Sequence, residues 1–265
     1  MKALVRNLLF AGTVAAFTAA MAMLYSCAVT GKHYVTCNAL DVQLQQDGRF
    51  VTEQDIKDYL KDYYGPYLGE RIDSVNLARV EKALDRRSVI LSSEAWTTDD
   101  GTLHISITQR EPAVRFQSEA GGYYADETGF IFPLQKNYTP KVPIVDGEIP
   151  LNAGAHYKGY PGSNREKEWI RGILDLVGYM DSHKAWADSI DRITVLANGD
   201  LMLYPQNGNE RFIFGAPNGM KEKFGRMEDY YRYIKPSKDP DWYRTVNVKY
   251  NGQVICRKKE IKYTI

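Results

Sequence analysis

Residues 76–112, NLARVEKALDRRSVILSSEAWTTDDGTLHISITQREP, change their periodicity part-way along. Leu77, Val80, Ala83 and Leu84 recur at helical spacing behind Asn76, a residue type that caps helix starts well. Arg86-Arg87 suits the negative end of that helix. From Val89 to Trp96 the pattern is that of a strand. After the turn Asp99-Asp100-Gly101, Leu103, Ile105 and Ile107 alternate with His104, Ser106 and Thr108, as in a strand with one buried face. Asp-Gly between two strand patterns is a hairpin signal. The stretch therefore reads as a helix followed by an antiparallel hairpin.

Upstream, Ala39–Leu44 alternates as a short strand. Thr52 with Asp55 three residues later approximates a capping box, and Val51 with Ile56 forms a hydrophobic staple. Ile56, Tyr59, Leu60 and Tyr63 form the apolar face of that helix, which Gly65-Pro66 stops. The order is β-α-α-β-β over residues 37–111, with Pro112 ending the unit. Residues 112–265 read as a larger β-rich domain with two helices. Its strands are read at 123–125, 130–132, 190–195, 201–204 and 211–214, and its helices at 165–180 and 220–234. Pro140, Pro143, Gly147 and Pro150 punctuate a long connection between them. A final hairpin, 245–250 and 253–258, turns at Asn251-Gly252, the pair favoured in a type I′ turn. The fold class is α+β.

The chain has 265 residues, 44% hydrophobic and 25% charged, with mean hydropathy −0.43. These values exclude a polytopic membrane protein and a disordered chain. Lys plus Arg number 34 against 33 for Asp plus Glu, without the basic excess of a dedicated nucleic-acid binder. The start departs from this average: residues 7–31 carry no charge, behind Lys2 and Arg6. That stretch is long enough to span a bilayer, and the flanking charge favours a cytoplasmic N-terminus. Three fates are open: an uncleaved anchor, a signal peptide cleaved after Ala20-Met21-Ala22, or a lipoprotein signal in which Leu24-Tyr25-Ser26-Cys27 places the lipid on Cys27. All three export the remainder, which holds 32 positive and 33 negative residues once Lys2 and Arg6 are set apart. Cys37 and Cys256 are either a disulfide or two small buried residues.

Phosphate-loop, dinucleotide-binding, zinc-protease and nucleophile-elbow motifs are absent from the sequence. His33, His104, His156 and His183 fall on different elements, and His104 lies on a polar strand face. No catalytic or metal-ligating residue emerges. Arg257-Lys258-Lys259 reads as a charged guard on an edge strand. A terminal hairpin offers an edge whose N–H and C=O groups accept a partner strand.

The order of elements resembles a POTRA domain. Asn76-Leu77-x-x-Val80-Glu81-x-x-Leu84, Asp100-Gly101-x-Leu103-x-Ile105 and Gln109-Arg110-Glu111-Pro112 resemble the POTRA end of the FtsQ/DivIB cell-division family. Tyr124-Ala125-Asp126-x-x-Gly129-x-x-Phe132-Pro133, Val142-Pro143-Ile144-Val145-x-Gly147 and 246–255 resemble its following β domain. The many tyrosines and the cysteine in the last strand resemble the Bacteroidetes branch. The family implies residues 1–6 as cytoplasmic tail, 7–31 as transmembrane helix, 37–111 as POTRA domain and 112–265 as β domain. It implies a bitopic inner-membrane divisome scaffold without enzymatic activity, cofactor or small-molecule substrate, and with its C-terminal domains periplasmic at the septum. FtsB and FtsL are the implied partners of the β domain, and other division proteins those of the POTRA domain. The contact strip expected is Lys249, Tyr250, Gly252, Val254, Ile255 and Cys256. The tail is shorter than in many members, and Lys249 stands where the family often has Arg. The rival reading is an exported lipoprotein or surface binding module anchored at Cys27.

Overall fold

The computed structural model describes residues 2–32, 35–45, 50–119, 121–238 and 242–258. The chain divides into two compact units, residues 1–109 and 110–265.

The first unit begins with helix α1 (Lys2–Lys32), whose window Phe10–Cys27 is long and apolar enough to cross a membrane and is not buried. After it come β1 (Ala39–Leu44), α2 (Glu53–Tyr63), α3 (Leu77–Leu84), β2 (Ile90–Thr97) and β3 (Thr102–Gln109). The three strands form a sheet in the order β1-β3-β2, with β1 parallel and β2 antiparallel to β3. A parallel pair needs a long crossover, and here the connection from β1 to β3 carries both helices. Leu103, Ile105 and Ile107 are fully buried, as their alternation requires.

Local chemistry sets the helix starts. Thr52 Oγ1 accepts from the Asp55 amide at 3.2 Å, and the Asp55 carboxylate accepts from the Thr52 amide and hydroxyl, both at 2.8 Å. These bonds hold the Asp55 carboxyl below the usual carboxylate range. Asn76 Oδ1 accepts from the Arg79 amide at 3.0 Å and starts α3. Tyr63 corrects the sequence reading. It is 61% exposed and stacks on Tyr59, whereas Ile56, Leu60 and Tyr64, four residues apart, make the buried face. The Tyr64 hydroxyl then accepts from the Asn76 amide at 3.0 Å. Nor is His104 freely solvated: it is hydrogen-bonded to Asp41 at 2.9 Å and Thr98 at 3.1 Å, and stacked on Trp96.

The second unit contains β4 (Pro112–Ser118), β5 (Gly121–Asp126), β6 (Ile131–Pro133), β7 (Ile144–Gly147), α4 (Asn164–Ser182), β8 (Ile190–Val195), β9 (Leu201–Pro205), β10 (Arg211–Gly215), α5 (Met220–Asp229), β11 (Tyr243–Asn247) and β12 (Ile255–Lys258). The strands form one sheet in the order β12-β11-β10-β9-β8-β7-β4-β5-β6. Ser163 and Glu166 cap α4 reciprocally. Ile173, Leu176 and Val177 from α4 and Phe224 and Met227 from α5 join Phe116, Leu203 and Phe212 of the sheet in one core cluster.

Three features differ from the sequence expectation. Pro112 does not end a ladder but opens β4 opposite Asp126, at the first strand position, where a missing N–H is tolerated. The proline-punctuated connection carries β7, which lies parallel to β4 and to β8 and fills the middle of the sheet. The last two strands are shorter than expected and are joined by residues 248–254 rather than by a two-residue turn. Gly252 has φ +70° but Asn251 does not have positive φ, so no type I′ turn forms. The chain leaves the ladder because the Val248 amide donates to Ile213 of β10, and Asn247 Oδ1 caps the Lys249 amide.

Asp126 anchors the start of this unit. Its carboxylate accepts from Arg110 Nη1 at 2.7 Å, the Thr128 amide at 2.9 Å, the Thr128 hydroxyl at 2.6 Å and the Phe130 amide at 3.0 Å. The Arg110 guanidinium lies 3.8 Å from the Phe130 ring centroid. Both side chains are nearly buried. Arg110→Ala leaves a buried carboxylate without its cation and is expected to cost about 3–5 kcal/mol, read as a lowered urea midpoint for a fragment starting at residue 35. Thr52→Ala removes a cap worth about 1 kcal/mol. The Asp55 pKa is depressed in the folded state, so its contribution is present above the ordinary carboxylate pKa near 4 and lost as pH falls through the folded value. The same urea titrations are therefore expected to show a larger Thr52→Ala penalty at pH 7 than at pH 3.

Candidate partner-binding edge

The two ends of the nine-stranded sheet differ. Beyond β6, Ile131 and Gly159 exchange backbone hydrogen bonds of 2.9 and 3.0 Å, so that end is capped by the chain itself. At the other end lies β12, and among the described residues no strand pairs with its outer side. β12 is held on its inner side by β11, with Val246 opposite Cys256 and Asn247 opposite Ile255. β11 in turn runs parallel to β10, with Thr245 opposite Arg211 and Val246 opposite Phe212.

The expected contact residues fall into three groups. Tyr250, Gly252 and Ile255 are exposed, with Tyr250 at 48% and Ile255 at 41%. Val254 and Cys256 are half-buried against the core cluster, beside fully buried Val246 and Val248. Burial pushes the Cys256 thiol pKa up, away from the reactive thiolate. Lys249 is half-buried, and its ammonium donates to both Asp200 oxygens at 2.9 and 2.8 Å. That pairing raises its pKa and places the charge 5.7 Å from the Tyr250 ring centroid. Cys27 is exposed on α1, at the C-terminal limit of the apolar window. Of the basic run, Arg257 and Lys258 lie on β12, with Lys258 over exposed Trp242 at 4.7 Å; Lys259 falls outside the described residues.

The support beneath this edge was not visible in the sequence. Asp200 reads there only as a turn residue, yet it fixes Lys249 from 49 residues away. Arg226 of α5 donates through Nε to the Val248 carbonyl at 2.9 Å. A π-helical turn, Tyr230–Ile234, carries α5 past its end, and Tyr230 meets Phe212 of β10 edge-on at 5.6 Å. Lys235 donates to Glu210, a buried carboxylate, at 2.7 Å. No group of His, Cys, Asp and Glu able to hold a metal occurs among the described residues.

A small β-α-α-β-β unit behind one apolar helix is followed by a mixed sheet that ends, among the described residues, at β12. Residues 35–108 match the POTRA-like domain, and residues 111–257 match the family described as FtsQ/DivIB, C-terminal related. The chain belongs to the FtsQ/DivIB family, which is related to cell division. Both domains are non-catalytic scaffold types, and the helix fits a single-pass membrane protein. No curated protein matches the chain.

Gly215 tests how closely β10 and Lys249 are packed. Its φ is +79°, and an added Cβ would lie 2.8 Å from Lys249 Cγ. Gly215→Ala is expected to destabilise the unit by about 1–3 kcal/mol. The accompanying displacement of Lys249 from Asp200 would appear as a shift of the Lys249 ammonium resonance.

Proposed function

We propose that this chain is a bitopic inner-membrane divisome scaffold that binds FtsB- and FtsL-type partners through its periplasmic β domain. In this reading it helps recruit or regulate septal peptidoglycan synthesis. Residues 1–6 lie in the cytoplasm, 7–31 cross the membrane, and the POTRA domain (37–111) and β domain (112–265) lie in the periplasm at the septum. The POTRA domain meets other division proteins. Nucleic acid and small molecules are not ligands.

The observation that carries this reading is the outer side of β12, with which no strand pairs among the described residues. A partner segment adding a strand there gains main-chain hydrogen bonds, and alternate side chains select it. Exposed Tyr250, Gly252 and Ile255 are the direct contacts, with Lys249 as a positioned charge beside Tyr250. Val254 and Cys256 act from below, by holding β12 on the core. The rival reading, a lipoprotein acylated on Cys27, is separated by mass spectrometry of the native N-terminus. An intact start at Met1 sustains the anchor; an acylated Cys27 removes it.

Binding is measured by capture of the FtsB- and FtsL-type extracytoplasmic segments. Tyr250→Glu and Ile255→Glu are each expected to weaken it about tenfold or more, equivalent to at least about 1.4 kcal/mol. Proline placed at β12 positions whose N–H faces away from β11 removes partner bonds while sparing the inner ladder. Undiminished capture by all of these variants rejects the β12 site. Filamentation on depletion, with the protein at midcell, is the matching cellular result; normal division without it rejects the divisome role.

A further inference from the structure

Residues 63–69, YYGPYLG, carry no charge. They run from the last turn of α2 toward the short 3₁₀ turn Ile72–Ser74. Tyr64 and Tyr67 are buried, but Tyr63 and Leu68 expose 61% and 56% of their surface. The segment is tied to the first described residues after α1. The Ile72 amide donates to the Val35 carbonyl at 2.9 Å, the Cys37 amide to Glu70 at 2.7 Å, and the Gly69 amide to Cys37 at 2.7 Å. Val35 follows Lys32 by three chain steps and Cys37 by five, which at full extension reach about 11 and about 18 Å.

The dimensions of α1 give that proximity a meaning. The 18 residues Phe10–Cys27 extend about 27 Å at 1.5 Å per residue, close to the roughly 30 Å of a hydrocarbon core. The five residues up to Lys32 add about 8 Å, the depth of a headgroup layer. The Tyr-Pro-Leu segment is therefore attached to the chain where α1 emerges into the interface. Tyrosine is the residue type enriched at that level, with its ring in the apolar boundary and its hydroxyl wet. The charges next to the loop are mixed, with Lys61 and Asp62 before it, Glu70 and Arg71 after it, and Lys32 at the end of α1. Asp100 lies beside Asn38 through a 3.1 Å bond, and Arg71 is engaged by Asp73.

We propose that the 63–69 loop is a lipid-surface contact in which Tyr63 and Leu68 enter the interfacial layer and hold the POTRA unit against the bilayer. The inference rests on reading α1 as a membrane span. Its driving force is apolar, so it acts on zwitterionic lipid as well as on anionic lipid.

The test uses the full chain in nanodiscs of phosphatidylcholine, with or without phosphatidylglycerol. A photoreactive diazirine amino acid replaces Leu68, Gln54 or Phe17 in separate samples, and lipid adducts are read by mass spectrometry. Gln54 sits in the first turn of α2, at the other end of that helix. The expected result is adducts at 17 and 68 in both lipid mixtures, background at 54, and a reduced yield at 68 when Tyr63→Asp is added. Adducts at 17 with only background at 68 overturn the inference while leaving the span intact. Adducts at 68 confined to the anionic mixture overturn the apolar contact. Background at 17 removes the span and the inference with it.

Discussion

The second unit depends on a carboxylate that is fully occupied. Asp126 takes the Arg110 guanidinium, two backbone amides and a hydroxyl at once, while Phe130 covers the cation. A nearly buried charge is stable only when it is paired and its lone pairs are met by donors. The consequence is geometric. Arg110 precedes β4, Asp126 ends β5 and Phe130 precedes β6, so one cluster clamps the opening of the first three strands together. β7 adds to β4 in parallel, β8 to β7 in parallel, and the rest of the sheet grows outward to β12. The cluster and the open edge thus belong to one continuous hydrogen-bonded framework.

The residue before this pair works in the first unit. Gln109 ends β3 and is 3% exposed; its Oε1 accepts from the Phe50 and Val51 amides at 2.9 and 3.2 Å. It therefore fixes the entry to α2, one position before Thr52 caps it. Gln109-Arg110 was legible as a motif in the sequence, but its physical content was not. Two adjacent side chains secure two different folds, one through backbone amides and one through a carboxylate.

What the sequence made legible was local. Thr52 with Asp55, Asn76, and the alternation from Leu103 to Ile107 each state their structure within a few residues, through capping or a period of two. What it hid was non-local. β7 is four residues between prolines and glycines, and only its two parallel neighbours make it a strand. Pro112 is a breaker by propensity and a strand opener by position. The Asn-Gly pair promised a tight turn, yet Val248 bonds to β10 and Lys249 reaches Asp200, and those tertiary bonds override the turn preference. At the candidate edge, the strand and its exposed aromatic were legible, whereas the pairing of Lys249 with Asp200 was not. Alternation places Val254 and Cys256 inward, and only the core cluster shows what they hold.

The asymmetry of the two sheet ends bears on why one edge is selectable. An exposed edge is an aggregation hazard, and proteins blunt it with short strands, covers or charge. The β6 end is covered by Gly159. The β12 end is managed instead by brevity and by charge: it is four residues long and carries Arg257 and Lys258, both exposed. Paired with an identical copy, such an edge would bring like charges close to one another across the new ladder. It does not repel a strand whose own charges are acidic or absent. Lys249 is ion-paired with Asp200, and Tyr250 and Ile255 expose apolar surface at this edge. On the proposed reading, the residues that blunt the edge would also bias it toward a partner of different composition.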